Sequence, residues 1–248
     1  MPRRALLRLG LAGAGLAGAA ACGAAPPAPV APATTAPTTT EPRPTLAPGA
    51  PAPEVDRGSS GRPEVALTFH GAGDPTLAKN VLTALHDRRA AVTVLAVGTW
   101  LQQSPDSARV VTDLGHELGN HTWSHGDIDT MSESAARAEI ERCRDRIAAL
   151  TGGPGAFFRP SQAQHATNRV KVLAAAAGYP TVLSYDVDSR DFTDPGAAAI
   201  RRNVAGAKAG AVVSMHLGHP GTLEAIPGLL DDLAARGLKP VTASQLFA

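Results

Sequence analysis

The sequence predicts a parallel α/β fold whose sheet closes, or nearly closes, into a barrel. Two observations carry this. From about Pro63 onward, short apolar runs alternate with stretches of helical spacing, about seven strands to about six helices, the pattern of a parallel sheet wrapped in helices. Polar residues then follow the ends of successive strands: His70, His121, Arg159, Asp186 and His216. Side chains at the C-terminal ends of that many strands meet only around a closed mouth, whereas an open sheet would spread them along an edge.

The elements follow in order. Val65–Phe69 is a short apolar strand. Leu77, Val81, Leu82 and Leu85 recur at helical spacing and predict a helix over Leu77–Arg89. Ala91–Val97 is a continuous apolar run, typical of a strand buried on both faces. A short helix at Ser107–Leu114 and a short strand at Glu117–Gly119 come next. Ser132–Leu150 reads as a charged amphipathic helix, with Ser132 as N-cap and Gly152-Gly153 past its end. Phe157-Phe158 is a strand remnant. Then come a helix over Asn168–Ala177 stopped by Gly178, a strand at Thr181–Tyr185, and a helix over Pro195–Lys208. A strand at Ala211–Met215, a helix over Leu223–Arg236 and a last strand at Pro240–Thr242 complete the set.

The first 62 residues differ in kind. Residues 1–22 read as a signal peptide: a basic start (Arg3, Arg4, Arg8), a Gly/Ala/Leu run too short to span a bilayer, and small residues before a cut site. Arg3-Arg4 resembles a twin-arginine export signal. Ala19-Ala20-Ala21-Cys22 resembles a lipoprotein cleavage box that would place a lipid on Cys22, while Ala19-x-Ala21 also suits an ordinary signal peptidase. Residues 23–62 are dominated by Pro, Ala and Thr and read as a disordered linker, because they hold too little apolar surface to offset the entropy of ordering. Residues 63–248, roughly 185 in number, suffice for one domain with its own core. The expected location is extracellular or the cell envelope, with membrane contact only through an N-terminal lipid. A net charge of +1 gives no purchase for nucleic acid, and the default assembly is a monomer. With Cys22 lipidated or removed, Cys143 has no partner and reads as a small apolar packing residue.

Gly119-Asn120-His121-Thr122-Trp123-Ser124-His125 places two imidazoles four residues apart. Two such rings bind one Zn-like ion if they converge on one side of the backbone. Further along stand Phe158-Arg159-Pro160, then Asp186-Val187-Asp188-Ser189-Arg190-Asp191-Phe192, and then His216. This ordered set resembles the polysaccharide deacetylase family, the NodB homology domain, over about Pro63 to Leu246. The resemblance implies a deformed (β/α)7, TIM-like barrel and removal of acetyl groups from a glycan such as peptidoglycan, chitin or xylan. It further implies that His121 and His125 are metal ligands, that Arg159 orients the catalytic base, and that His216 is the general acid, charged through Asp191.

The first motif departs from the family. Where the family has Thr-Phe-Asp-Asp-Gly, with a base and then a metal ligand, this chain has Thr68-Phe69-His70-Gly71-Ala72-Gly73-Asp74. One reading rebuilds the site. A divalent ion, Zn before Co, Ni or Fe, sits on His121 and His125 with a third ligand from Asp74 or His70, and His70 otherwise acts as base. The glycine-rich turn would let Asp74 fold inward. Trp123, Gln162 and Ser214 are the expected substrate contacts, Ser214 standing where the family has a leucine against the acetyl methyl. A second reading keeps the fold and loses the chemistry, leaving a glycan-binding or envelope scaffold protein. A third keeps the mouth for another small amide or ester. His165 and His219 lie in loops beside the mouth and read as exposed.

Overall fold

The computed structural model describes residues 46–248. The expected signal peptide, the Cys22 lipid site and most of the linker lie outside the described residues. No described helix is long and apolar enough to cross a membrane.

The chain runs β1 (Glu54–Val55), β2 (Glu64–Gly71), α1 (Pro75–Asp87), β3 (Thr93–Ala96), α2 (Gly98–Gln103), α3 (Asp106–Asp113), β4 (Glu117–Asn120) and α4 (Glu133–Thr151). It continues through α5 (Asn168–Ala176), β5 (Val182–Leu183), β6 (Val187–Asp188), a 3₁₀ turn (Asp191–Thr193), α6 (Ala197–Val204), β7 (Val212–His216), α7 (Pro220–Ala235), β8 (Lys239–Val241) and α8 (Ala243–Leu246). The named strands pair in parallel, in the order β4-β3-β2-β7-β6, with β8 also on β2 and β1 on β5. Phe158 bridges β4 to β5 through Asn120 and Val182. Residues 184–186 join β5 directly to β6, so the ring of neighbours closes through the continuous chain. That is the parallel, helix-wrapped α/β ring expected of a deformed barrel.

Side-chain alternation on β2 and β7 builds the site. Val65, Leu67 and Phe69 face outward into the main apolar cluster with Val81, Leu85, Val213 and Met215. Ala66 and Val212 face inward with Leu95, Leu183 and Leu246, filling one end of the ring. Thr68 and His70, and opposite them Ser214 and His216, continue that interior column toward the other end, in register Thr68↔Ser214 and His70↔His216. Apolar side chains close the bottom, and the imidazoles stand at the mouth.

Helix caps follow the sequence. Ser132 accepts from Ala135 N at 3.2 Å, and Gly152 ends α4 at φ 81°. Three features differ from expectation. Residues 51–62 belong to the folded unit rather than to a linker: Ala52 is buried and β1 pairs with β5. Proline and alanine hide this strap, because its order comes from backbone bonds such as Val182 N to Pro53 O and not from large side chains. The last long helix begins at Pro220, since proline suits the first helical position and Pro227 is carried inside. A further helix, α2, lies in the predicted loop after β3. Cys143 is fully buried, as expected of a packing residue; burial pushes its thiol up to about 12.

Candidate active site

The His121–His125 segment is a strained loop after β4. Thr122 (φ 67°) and His125 (φ 61°) both adopt left-handed backbone, a costly state for a β-branched residue. Local bonds hold it: Asn120 Oδ1 accepts from Thr122 N at 2.8 Å, and Thr122 Oγ1 from His125 N at 3.2 Å. The result brings the two rings to 4.7 Å between centroids.

His70 joins them. Its ring lies 4.1 Å from that of His121, and one nitrogen from each of His70, His121 and His125 falls within 4.8 Å of the others. Nδ1 of His70 and Nε2 of His121 are buried and have no hydrogen-bond partner among the described residues. Buried ring nitrogens left without a partner beside such a cluster fit a shared cation. Burial holds His70 well below the ordinary imidazole range, with His121, His216 and Arg159 adding repulsion. Burial does the same to His121, with His125 adding to it. His125 is lowered by burial and by His216. Neutral imidazole is the ligating form, so the donor set suits Zn or another borderline divalent ion.

These shifts set a pH dependence. A histidine buried neutral binds its proton more weakly folded than unfolded, so stability is full above the unfolded value of 6.5 and falls as pH drops below it. The metal-free protein is expected to lose stability ever more steeply below that value, approaching about 1.4 kcal/mol per pH unit for each of His70 and His121 once the unfolded rings are fully protonated. Urea melts at stepped pH would measure it, and His70→Ala should flatten the slope.

Asp74 and His70 are the two candidates for a third ligand, and the structure places them differently. Asp74 does not reach inward; its carboxylate accepts from Leu77 N at 2.8 Å and caps α1, exposed. A short aspartate just before Pro75 satisfies a helix start better than a distant ion. The glycine turn serves a different need: a Cβ on Gly73 (φ 89°) would come within 2.5 Å of Gly218 Cα, so two loops of the mouth touch there. Of the two candidates for a third ligand, His70 and not Asp74 lies with His121 and His125.

Gly71 lies on the opposite face of β2 from His70. A Cβ there would meet Val94 Cγ1 at 2.9 Å and Trp100 Cζ3 at 3.0 Å. The indole of Trp100, 5% exposed, occupies that space. Gly71→Asp is therefore expected to destabilise the fold by about 1–3 kcal/mol through overpacking alone, and not to restore a carboxylate ligand. Thermal melts and metal titration of that variant check both halves.

Arg159 is fully buried, and among the described residues no carboxylate pairs with it. Nε donates to Leu183 O at 2.9 Å and Nη2 to Ser184 O at 3.0 Å, while Nη1 is unpartnered. Burial pulls its value down to about 9. The described bonds of the guanidinium go to backbone carbonyls. Its charge helps keep His70 neutral.

His216 and Asp191 form a tight dyad. His216 Nδ1 lies 2.7 Å from Asp191 Oδ1, and Asp191 Oδ2 accepts from His216 N at 2.8 Å and from Thr222 Oγ1 at 2.7 Å. Burial alone would raise the Asp191 carboxyl, but the bonds from His216 and Thr222 outweigh it and hold it below the usual range. Nδ1 being anchored, Nε2 is the atom free for proton transfer. The His216 ring lies 4.3 Å from that of His70.

A cavity of 460 Å³ opens over these groups, lined by His70, His125, Gln162, Ser214 and His216 among others. That size suits a sugar ring with its substituent. Gln162 donates to His125 O at 3.2 Å. Trp123 does not line the cavity: it packs on α2 at Gly98, with Arg142 4.2 Å over its ring. Sequence reasoning missed Tyr185, Asp188 and Phe192 on the wall, and a second dyad in which His219 Nδ1 lies 2.9 Å from Asp194 Oδ1. Its signal was the repeated spacing of three, Asp191 and Asp194 against His216 and His219. A groove of equal volume between α6 and α7, lined by Arg201, Leu229 and Arg236, contains no ligand cluster.

Residues 57–182 match the family described as polysaccharide deacetylase. A Bacillus cereus protein named peptidoglycan-N-acetylglucosamine deacetylase is 32% identical over 188 residues, spanning 74% of this chain and 87% of its own. A solved peptidoglycan N-acetylglucosamine deacetylase, in complex with an N-hydroxybenzamide, matches with a TM-score of 0.73 at 25% identity, over 79% of this chain and 93% of that one. A CE4 family pseudoenzyme from Bacillus anthracis has the same fold, with a TM-score of 0.74 at 24% identity over 81% of this chain and 69% of its own.

Proposed function

This chain belongs to the polysaccharide deacetylase family, and from that premise we propose that it is a metal-dependent hydrolase that removes acetyl groups from an envelope or environmental glycan, with a three-histidine centre in place of the family's carboxylate-bearing one. The observation that carries the reading is the convergence of one ring nitrogen from each of His70, His121 and His125, two of these rings having a buried unpartnered nitrogen, beside a His216 anchored on Asp191.

A divalent ion on His70, His121 and His125 would polarise the acyl carbonyl and acidify a water. The chain's own residues do the rest. With His70 among the ligands, His216 is the imidazole beside the cluster with a free nitrogen. It takes the proton of the attacking water on Nε2 and returns it to the leaving nitrogen as the C–N bond breaks, so one imidazole closes the proton balance. Asp191 stabilises the charged ring between the two transfers. Backbone N–H groups near Ser161-Gln162 face the developing oxyanion. Gln162 and the cavity wall hold the sugar.

Export to the envelope, with Cys22 lipidated and a twin-arginine route, belongs to the same proposal, as does action as a monomer. Acetate release from N-acetylated chitooligosaccharides and from peptidoglycan, by zinc- or cobalt-loaded protein, tests it. No release from either by metal-replete protein would overturn it. A glycan-binding or scaffold role without cleavage is favoured by one observation: Arg159 retains a buried charge with no carboxylate to face. Oligosaccharide binding without acetate release would establish that role.

A further inference from the structure

We infer that Ser214 is a positioning residue for the rebuilt centre: its hydroxyl accepts the Nε2–H of His70 and thereby turns the Nδ1 lone pair of that ring toward the point shared with His121 and His125. This rests on the three-histidine reading.

A ligating imidazole gives one nitrogen to the ion and donates the other N–H to a fixed acceptor, which sets the tautomer and the ring plane. His121 shows that arrangement directly. Its Nδ1 lies 3.1 Å from Arg159 O, and a carbonyl only accepts, so the proton is on Nδ1 and the unpartnered Nε2 carries the lone pair. His70 is its mirror image. Nε2 lies 3.4 Å from Ser214 Oγ, a long contact but the hydrogen bond given to this ring, and Nδ1 is the buried unpartnered atom. The reverse assignment, with the hydroxyl donating, would put the proton on Nδ1. That buried donor would have no acceptor, costing about 1–3 kcal/mol, and would face two other imidazoles.

The sheet register makes the pairing specific. β2 and β7 run parallel with Thr68 opposite Ser214 and His70 opposite His216. Ser214, 2% exposed, is thus the interior β7 position just below the ring of His70. An aliphatic side chain there would leave Nε2–H without a partner and free the ring to turn. Ser214, expected from sequence to contact the acyl group, lines the cavity and also lies against the ring of His70.

The test is zinc affinity by chelator competition for wild type and for Ser214→Ala, Ser214→Leu and Ser214→Thr, with thermal melts on each. Loss of 10–100-fold in Ser214→Ala and Ser214→Leu, recovered in Ser214→Thr, is expected. A long-range ¹H–¹⁵N spectrum of the metal-free wild type gives a second reading, in which His70 carries its proton on Nε2. Wild-type zinc binding with Ser214→Ala within twofold of it, or a His70 proton on Nδ1, would overturn the inference and leave the centre standing. Failure of wild type to bind zinc would sink the three-histidine reading itself, and this inference with it. Should the variants fail to fold, the wild-type tautomer decides.

Discussion

Replacing His121 with alanine is expected to abolish stoichiometric metal binding and to lower acetate release at least about 10³-fold. The ring is fully buried, its Nδ1 is committed to Arg159 O, and its Nε2 has no role in the fold. Removing it takes a ligand and leaves a cavity behind the other two. The fold should survive, because His121 is not part of the apolar clusters that hold the barrel together. Metal analysis, circular dichroism and acetate release measured on one preparation separate loss of the ion from loss of the fold. Metal retained at one per chain would show that His121 is not a ligand.

The second large effect is at the dyad. His216→Ala is expected to lower kcat about 10²–10⁴-fold with metal content unchanged, because it removes the proton carrier and no ligand. Asp191→Asn should act in the same direction through a different route. The amide cannot stabilise a charged ring, and its NH₂ would face two donors that Asp191 now accepts from, the backbone N–H of His216 and the O–H of Thr222. KM should move little in either variant. A kcat within tenfold of wild type in His216→Ala would mean that the proton travels through another group on the cavity wall, with Asp188 and His219 next in line.

Much of this architecture was legible in the residues. The alternation of Val65, Leu67 and Phe69 with Ala66, Thr68 and His70 is written in the sequence and fixes which side chains face the mouth. Helix starts at Ser132 and Thr167 are legible because a hydroxyl before a helical run has one good use, accepting from the third residue on. The dyad of Asp191 and His216 was also within reach. Two things were not. Asp74 had to choose between an ion and a helix N-terminus, and spacing alone does not show that the turn before it is fixed by Gly73 closing on Gly218. The strap over residues 51–62 is held by backbone bonds to partners more than 100 positions away, as in Val182 N to Pro53 O, and composition carries no trace of them. Trp123 misled for a related reason: an aromatic between two ligand histidines looks like a sugar platform, but the left-handed backbone at Thr122 and His125 brings the histidines together while the indole packs on Gly98.

We propose that His70 has taken the ligand place that the first motif lost. Metal stoichiometry of His70→Ala against Asp74→Ala, after loading with zinc and gel filtration, tests it most directly. One ion per chain is expected in wild type and in Asp74→Ala, and none retained in His70→Ala. Retention in His70→Ala together with loss in Asp74→Ala would contradict it and give the third ligand back to the aspartate.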